Sequence, residues 1–184
     1  MMKKTDIRII KTQRNIKNAF RQLLAEKSFE EISVQHIIDL AEINRTTFYK
    51  HYLNKNALAI QVIDEFKQQV FLPTLEKRFS SSASEFAEYM PQILLNFKQE
   101  LQLLWKINTA KIHLKQDMYQ IIKEKYIEES QKHPQPDYAN ITFQAHIFAS
   151  ISLASISYLL EQDKLVDPQQ ILANIHMVFD RLLV

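Results

Sequence analysis

The chain of 184 residues contains no glycine and only five prolines. Glycine adopts the positive φ angles of tight hairpin turns most readily, so a chain without it has few ways to connect neighbouring strands. Leu, Ile, Lys, Gln, Glu and Ala dominate the sequence instead, and most of these are strong helix formers. The composition therefore predicts an all-α fold. The length suffices for one sizeable core, or for a small domain that shares its core with a larger one.

Several function classes are disfavoured by what the sequence lacks. Cysteine is absent, which excludes disulfides, cysteine-based zinc sites and cysteine nucleophiles and fits a reducing cytoplasm. The sequence shows no glycine-rich phosphate loop, nucleotide fingerprint, metal-ligand spacing or catalytic triad, so we expect no enzyme, no cofactor and no metal. The charged N-terminus and the polar side chains within the apolar stretch 141–160 argue against a signal peptide and a membrane span. We expect a cytoplasmic protein with no membrane partner.

Positive charge is concentrated near the N-terminus. Residues 1–60 hold 11 Lys or Arg against 6 Asp or Glu, whereas residues 61–184 hold 12 against 15. A local surplus of positive charge is what neutralising DNA phosphates requires. A solvated basic face is the alternative interpretation.

Residues 33–55 read as two short helices joined by a tight turn and followed by the cap of a third. Ser33 is placed as the N-cap of the first helix, whose apolar residues recur every three or four positions. Asn44 is placed as the N-cap of the second, in which Phe48 and Tyr52 share one face. The outward residues of that helix are Arg45, Thr46, Thr47, Tyr49 and Lys50. This pattern is typical of a helix-turn-helix with its recognition helix, and equally of a small core hairpin with a polar outer face.

Residue types at fixed offsets in this stretch carry a further signal. They are Ser33, Val34, Ile37, Ala41, Ile43, Asn44, Thr47, Phe48, Tyr49, His51, Tyr52 and Lys55. The pattern resembles the DNA-binding region of the TetR family of transcriptional regulators, and a branch with an Asn-Arg-Ser/Thr-Thr-Phe-Tyr recognition helix looks similar. Glu42 and Thr46 replace two glycines of the family pattern. A positive φ at Glu42 would be strained, so the turn there is expected to be shaped differently.

The resemblance implies a fold and an assembly. We expect a three-helix helix-turn-helix domain at residues 1–53 and a larger helical effector-binding and dimerisation domain at residues 54–184, with about nine helices. The family implies a homodimer that pairs through its two C-terminal helices and binds a palindromic operator. A ligand-responsive repressor is the resulting hypothesis. A family member that activates, or that a protein partner controls, remains an alternative, as does a helical adaptor or enzyme without DNA binding.

The predicted DNA contacts divide into two kinds. Base reading is assigned to Arg45, which can pair with guanine, and to Thr46 and Thr47. Phosphate contacts are assigned to Ser33, Tyr49, His51 and, from the resemblance, Lys55. Asn44 and Lys50 complete the predicted double-stranded DNA site.

The rest of the chain is predicted more coarsely. A flexible arm is expected up to about Lys11, then a helix to Glu26 with its basic side toward DNA. A fourth helix is expected from the Asn54 cap to Leu72-Pro73, and Pro91 is expected to end or kink a later helix. Apolar segments at 137–162 and from an Asp167 cap onward form the last two helices.

A small-molecule effector of unknown identity is the last expectation. The candidate pocket residues mix aromatic rings with a few polar groups, as small-molecule sites do. They are Tyr89, Met90, Phe97, Trp105, His113, Met118, Phe143 and His146. Plain core packing is the alternative for all of them, and for the two histidines in particular.

Overall fold

The computed structural model describes residues 7–133, 136, 139–164 and 166–182, and this part of the chain is almost entirely helical. Its nine α-helices are α1 (Ile7–Glu26), α2 (Val34–Leu40), α3 (Arg45–His51), α4 (Lys55–Phe66), α5 (Leu72–Phe79), α6 (Ala83–Trp105), α7 (Leu114–Ser130), α8 (Ile141–Glu161) and α9 (Pro168–Leu182). A small antiparallel hairpin of β1 (Asn108–Thr109) and β2 (Ile112–His113) lies between α6 and α7. The all-α prediction is confirmed.

The first three helices pack around a shared apolar centre. The buried face of α1 consists of Ile16, Ala19, Phe20, Leu23 and Leu24, as the helical spacing predicts. Phe29 and Ile32, from the turn after α1, are also buried, and the Phe29 ring meets that of Phe20 edge to face at 6.2 Å between centroids. Residues 7–11, predicted as part of a flexible arm, are instead helical. The first six residues lie outside the described part.

Side-chain caps begin α2, α3 and α4 at the predicted residues. The backbone N–H of His36 donates to Ser33 Oγ at 3.1 Å, and that of Thr47 donates to Asn44 Oδ1 at 2.7 Å. Asn54 Oδ1 accepts in the same way from the backbone N–H of Ala57, at 2.9 Å. Each cap satisfies an amide that the helix itself leaves unpaired.

The turn between α2 and α3 keeps its left-handed residue although glycine is missing. Glu42 has φ 52°, and it is the one non-glycine residue with positive φ in the described chain. Its N–H donates to Asp39 O, and the N–H of Ile43 donates to Ile38 O at 3.2 Å. This pair of bonds is the Schellman C-cap, whose left-handed position glycine normally fills. The turn therefore keeps the left-handed shape that glycine normally allows, so the expectation of a different shape is wrong, and Glu42 bears the strain of a Cβ.

The fourth helix continues beyond its predicted end at Pro73. A π-helical segment (Lys67–Phe71) connects α4 to α5, with the N–H of Leu72 donating to Lys67 O five residues back. Proline lacks an N–H and its ring clashes with the carbonyl four residues earlier. The wider π turn just before Pro73 avoids that conflict, so the helical path continues to Phe79.

The segment from α6 to β2 bears on two predictions. Helix α6 begins at a capping box between Ser82 and Glu85 and runs through Pro91, so the alternative that this proline ends the helix is wrong. The β1–β2 hairpin is unpredicted, and Thr109 Oγ1 stabilises its turn by accepting from the N–H groups of Lys111 and Ile112. An ST turn therefore replaces the glycine that a hairpin usually contains.

The described C-terminal helices form the outer part of the fold. Helix α8 packs along α7 and buries Ala145, Ala149 and Leu153 against the rest of the chain. By length and composition α8 is apolar enough to cross a membrane. Helix α9 starts at the predicted Asp167 cap, packs on α6 and has no fully buried residue. The predicted loop around Pro134 lies mostly outside the described residues.

Candidate DNA-binding surface and effector cavities

Helix α3 presents a polar face on an apolar anchor. Phe48 is fully buried, whereas the neighbouring Tyr49 is 46% exposed. Arg45, Thr46 and Lys50 are exposed as well. The buried ring fixes the rotation of the short helix, so its opposite face must point to solvent.

Arg45 and Tyr49 contact each other on this exposed face. The guanidinium carbon of Arg45 lies 5.6 Å from the centroid of the Tyr49 ring, and Arg45 Nη2 is 3.5 Å from Tyr49 Oη. The Tyr49 ring in turn meets Phe48 edge to face at 5.5 Å. A guanidinium stacks on a ring with its flat face. The N–H donors at its edge then remain available to a base or a phosphate.

The starts of α2 and α3 offer further donors. Ser33 Oγ accepts the N–H of His36, so its own hydroxyl proton is left to donate. The backbone N–H of Ser33 donates to His36 Nδ1 at 3.3 Å, which places the imidazole proton on Nε2. Asn44 uses its carbonyl oxygen as the cap and keeps its amide N–H groups. The sequence reasoning missed His36, although Ser-x-x-His at capping-box spacing is a signal that could have found it.

Lys55 has a different role from the predicted phosphate contact. Its ammonium group donates to the carbonyls of Phe29 at 2.7 Å, Glu30 at 3.1 Å and Ile32 at 2.8 Å, and it lies 4.6 Å from the Phe29 ring centroid. Burial lowers the pKa of Lys55. All three ammonium protons have carbonyl partners, so none is left for a phosphate. The phosphate role is untested, and the geometry favours a clamp on the α1–α2 turn.

The basic residues of α1 do not all face one way. Lys17 pairs with Glu65 of α4, and Arg21 Nε pairs with Glu100 Oε1 of α6 at 2.7 Å. The prediction that the basic side of α1 faces outward is therefore wrong for these two residues. Their charges attach α1 to helices that follow α3 in the chain.

Tyr52 places a hydroxyl inside the junction between these helices. The side chain is 3% exposed, and among the described residues its Oη is the buried side-chain polar atom without a hydrogen-bond partner. Burial, and then the charge of Glu65, raise the pKa of the Tyr52 phenol to about 12. A buried hydroxyl without a partner destabilises the fold.

Two cavities divide most of the predicted effector residues. An apolar cavity of about 60 Å³ beside the π turn is lined in part by Met90, Phe97 and Met118. An open cleft of about 390 Å³ beside the hairpin is lined in part by Trp105 and His113. The remaining predicted residues, Tyr89, Phe143 and His146, line neither of these two cavities. The prediction of one common pocket is therefore not met by these two cavities.

The described residues also bear on cofactor chemistry. Within residues 7–133, 136, 139–164 and 166–182, no group of three His, Asp or Glu side chains is arranged to hold a metal ion. The surface of α2 and α3 instead combines outward donors, two capped helix N-termini and few acids. Such a surface suits an anionic polymer.

Comparison with protein families gives a match in the N-terminal part of the chain. Residues 16–62, which run from α1 into α4, match the family described as bacterial regulatory proteins, tetR family. Over these residues the chain is similar to the TetR family. The matched residues include the exposed face of α3 and the caps at Ser33, Asn44 and Asn54.

One longer relative and two solved structures resemble this chain over most of its length. It is 27% identical over 185 residues to an HTH-type transcriptional regulator of Bacillus subtilis, YxbF, covering 96% of this chain and 46% of that protein. The chain thus spans about half the length of that relative. A TerR/AcrR-family regulator of Aquifex aeolicus has the same fold, with a TM-score of 0.66 and 17% identity over 91% of this chain and 99% of that one. A TetR regulator of Streptococcus agalactiae gives 0.62 and 22%, over 92% and 93%.

Proposed function

We propose that the chain binds double-stranded DNA as a transcriptional regulator and reads bases with α3. The observation that carries this proposal is the exposed face of α3, where Arg45, Thr46, Tyr49 and Lys50 stand opposite the buried Phe48. A short helix rotated by one buried ring presents its polar residues in a fixed direction, as a major-groove reader requires. The proposed DNA-binding domain ends at residue 53, and Asn54 caps the helix into the second domain.

The proposed contacts follow from the donors left free. Arg45 pairs with guanine through its outer N–H groups, and Thr46 and Thr47 touch base edges. Phosphate contacts come from Ser33, Asn44, Tyr49, Lys50 and His51, and we add His36 through its Nε2 atom. Lys55 is left out, because its ammonium is occupied by the α1–α2 turn. Phosphate contacts position the protein and base contacts select the sequence.

Homodimerisation through α8 and α9 is supported by their exposed apolar residues. Phe143 is 61% exposed and Leu182 is 73% exposed, and three further residues of these helices are more than half exposed. They are Tyr158, Met177 and Val178. A symmetric dimer would cover them and would match a palindromic operator.

Regulation is proposed to be repression in the cytoplasm, relieved by a small molecule bound in the helical domain. A ligand that binds better to one separation of the two recognition helices shifts the population toward it. The shift is limited by the difference in affinity between the two states.

Selection of bound sequences from random double-stranded DNA tests the proposal. We expect enrichment of a palindrome whose half-site spacing reports the dimer. On that operator, Arg45→Ala should cost about 1–3 kcal/mol and relax the preference at one base pair. The matched control is Lys111→Ala, which removes a positive charge from the exposed hairpin turn and should leave both affinity and preference unchanged.

Two results would contradict the proposal. Absence of any enriched sequence at low salt would remove DNA reading altogether. An equal loss for Arg45→Ala on every sequence would keep DNA binding but assign Arg45 to a phosphate.

A further inference from the structure

The cleft beside the β1–β2 hairpin is the larger of the two cavities. Its volume of about 390 Å³ lies within the range of small-molecule sites, whereas the apolar cavity at the π turn has about 60 Å³. Its walls come from the end of α6, the hairpin, the start of α7 and one residue of α8. A ligand there would therefore contact elements distant in sequence.

Two aromatic rings and an ammonium group define the chemistry of the cleft. Trp105 and Tyr119 supply the rings, and Leu153 adds an apolar wall from α8. Lys115 Nζ lies 4.8 Å from the centroid of the Trp105 ring. No residue that lines the cleft is acidic. The cleft is thus apolar and positively charged.

Lys115 has no carboxylate partner among the described residues. Its Nζ donates to the hydroxyl of Ser157 on α8 at 3.0 Å, a neutral acceptor. A carboxylate that replaced this hydroxyl would form a charge-assisted hydrogen bond, which is the stronger kind. The charge of Lys115 therefore favours an anionic ligand group.

Further hydrogen-bonding groups complete the rim. His113 Nδ1 and Asn108 Oδ1 lie 2.9 Å apart across the hairpin, which fixes the orientation of both side chains. The Tyr119 hydroxyl is hydrogen-bonded to His146 Nδ1 on α8. A ligand ring stacked on Tyr119 would therefore be linked to α8 through this hydrogen bond. Helix α8 is one of the two helices proposed to form the dimer.

We propose that this cleft binds a small aromatic carboxylate, with Lys115 on the carboxylate and Trp105 and Tyr119 against the ring. The ligand class follows from the single cation, the paired rings and the absence of acids. The cleft is then the effector site of the regulator, and this regulatory role rests on the proposed function. Binding itself does not depend on DNA.

The single tryptophan of the chain makes the test direct, because Trp105 reports from within the cleft. Benzoate is titrated against the full chain without DNA, and tryptophan emission is followed. We expect a saturable change, and at least tenfold weaker binding of benzamide, which has the ring without the charge. Cyclohexanecarboxylate, which has the charge without the ring, should also bind more weakly.

Variants assign the carboxylate to Lys115. Lys115→Met should weaken benzoate binding tenfold or more, and Lys115→Arg should restore it. Lys111→Met is the control, since it removes a lysine from the adjacent hairpin turn without touching the cleft. Thermal unfolding of each variant checks that the fold is intact.

The outcomes separate this inference from the proposed function. No saturable change with benzoate, or equal affinity in Lys115→Met, would overturn the cleft assignment while DNA binding stands. Saturable benzoate binding in a chain that selects no DNA sequence would support the site and overturn its regulatory role.

Discussion

Lys55 provides a sharp test of how the proposed DNA-binding region is held together. Its ammonium group donates to three backbone carbonyls of the α1–α2 turn. The substitution Lys55→Met removes the charge while keeping a long apolar side chain. The bonds to Phe29 O and Ile32 O, at 2.7 and 2.8 Å, are partly buried, whereas the bond to Glu30 O is exposed. Only the two partly buried bonds are expected to contribute substantially.

The expected cost follows from these two bonds. A hydrogen bond to a charged group contributes roughly 1.5 kcal/mol or more, so the change should lower the free energy of unfolding by about 3 kcal/mol. For a chain of this size that corresponds to a fall in Tm of roughly 6–12 °C. Urea unfolding and thermal unfolding, each followed by circular dichroism, measure it. Lys50→Met, an exposed lysine of α3, is the control and should leave stability within about 0.5 kcal/mol.

Salt dependence of DNA binding separates the clamp from a phosphate contact. If Lys55 does not contact the DNA phosphates, Lys55→Met leaves the slope of log affinity against log salt concentration unchanged at temperatures where the variant is folded. A phosphate contact would instead lower that slope by about one unit. A slope lowered in this way, together with a stability loss below about 1 kcal/mol, would refute the clamp.

Two further changes test strain and burial near the same region. Tyr52→Phe removes the unpaired buried hydroxyl and should raise stability by about 1 kcal/mol at pH 7. The raised pKa of Tyr52, about 12, means that the phenol ionises first in the unfolded state; wild type should therefore lose roughly 1.4 kcal/mol per pH unit relative to the variant between pH 10 and 12. Parallel urea stabilities across that range would contradict the buried phenol. Glu42→Gly should stabilise the chain by about 0.5–1 kcal/mol, because the left-handed conformation at φ 52° costs a residue with a Cβ more than it costs glycine. Glu42→Ala, which keeps the Cβ, is its control, and equal melting curves for the two variants would argue against strain there.

The starts of α2, α3 and α4 were predictable because their signals lie within one turn of the chain. Ser33, Asn44 and Asn54 each cap the amide three residues ahead, and the buried position of Phe48 follows from local spacing. The Schellman turn at Glu42 was not predicted, because glutamate in place of glycine led us to expect a different shape. A glutamate at position 42 gives no sequence signal for the left-handed conformation, which the end of α2 and the buried Ile38 impose.

Features that depend on distant residues were not predictable in the same way. Lys55 reaches a turn more than 20 residues earlier in the chain, and no local pattern shows which of its possible partners it meets. The effector residues were chosen by type, yet a cavity depends on how helices meet, and the set divides between two cavities and other surfaces. The β1–β2 hairpin was not predicted because an ST turn at Thr109 takes the place of the glycine that usually signals a hairpin.

The ion pairs of α1 bear on how an effector signal could reach the recognition helix. Lys17 ties α1 to Glu65 on α4, the helix that follows α3, and Arg21 ties α1 to Glu100 on α6. The three-helix unit is thus attached at two points, on α4 and on α6, and both lie beyond the proposed domain boundary at residue 53. A ligand that moves α6 must either carry α1 with it or break the Arg21–Glu100 pair, and breaking a partly buried pair opposes the movement. Because α1 shares its buried core with α2 and α3, the recognition helix would move together with α1 as one unit.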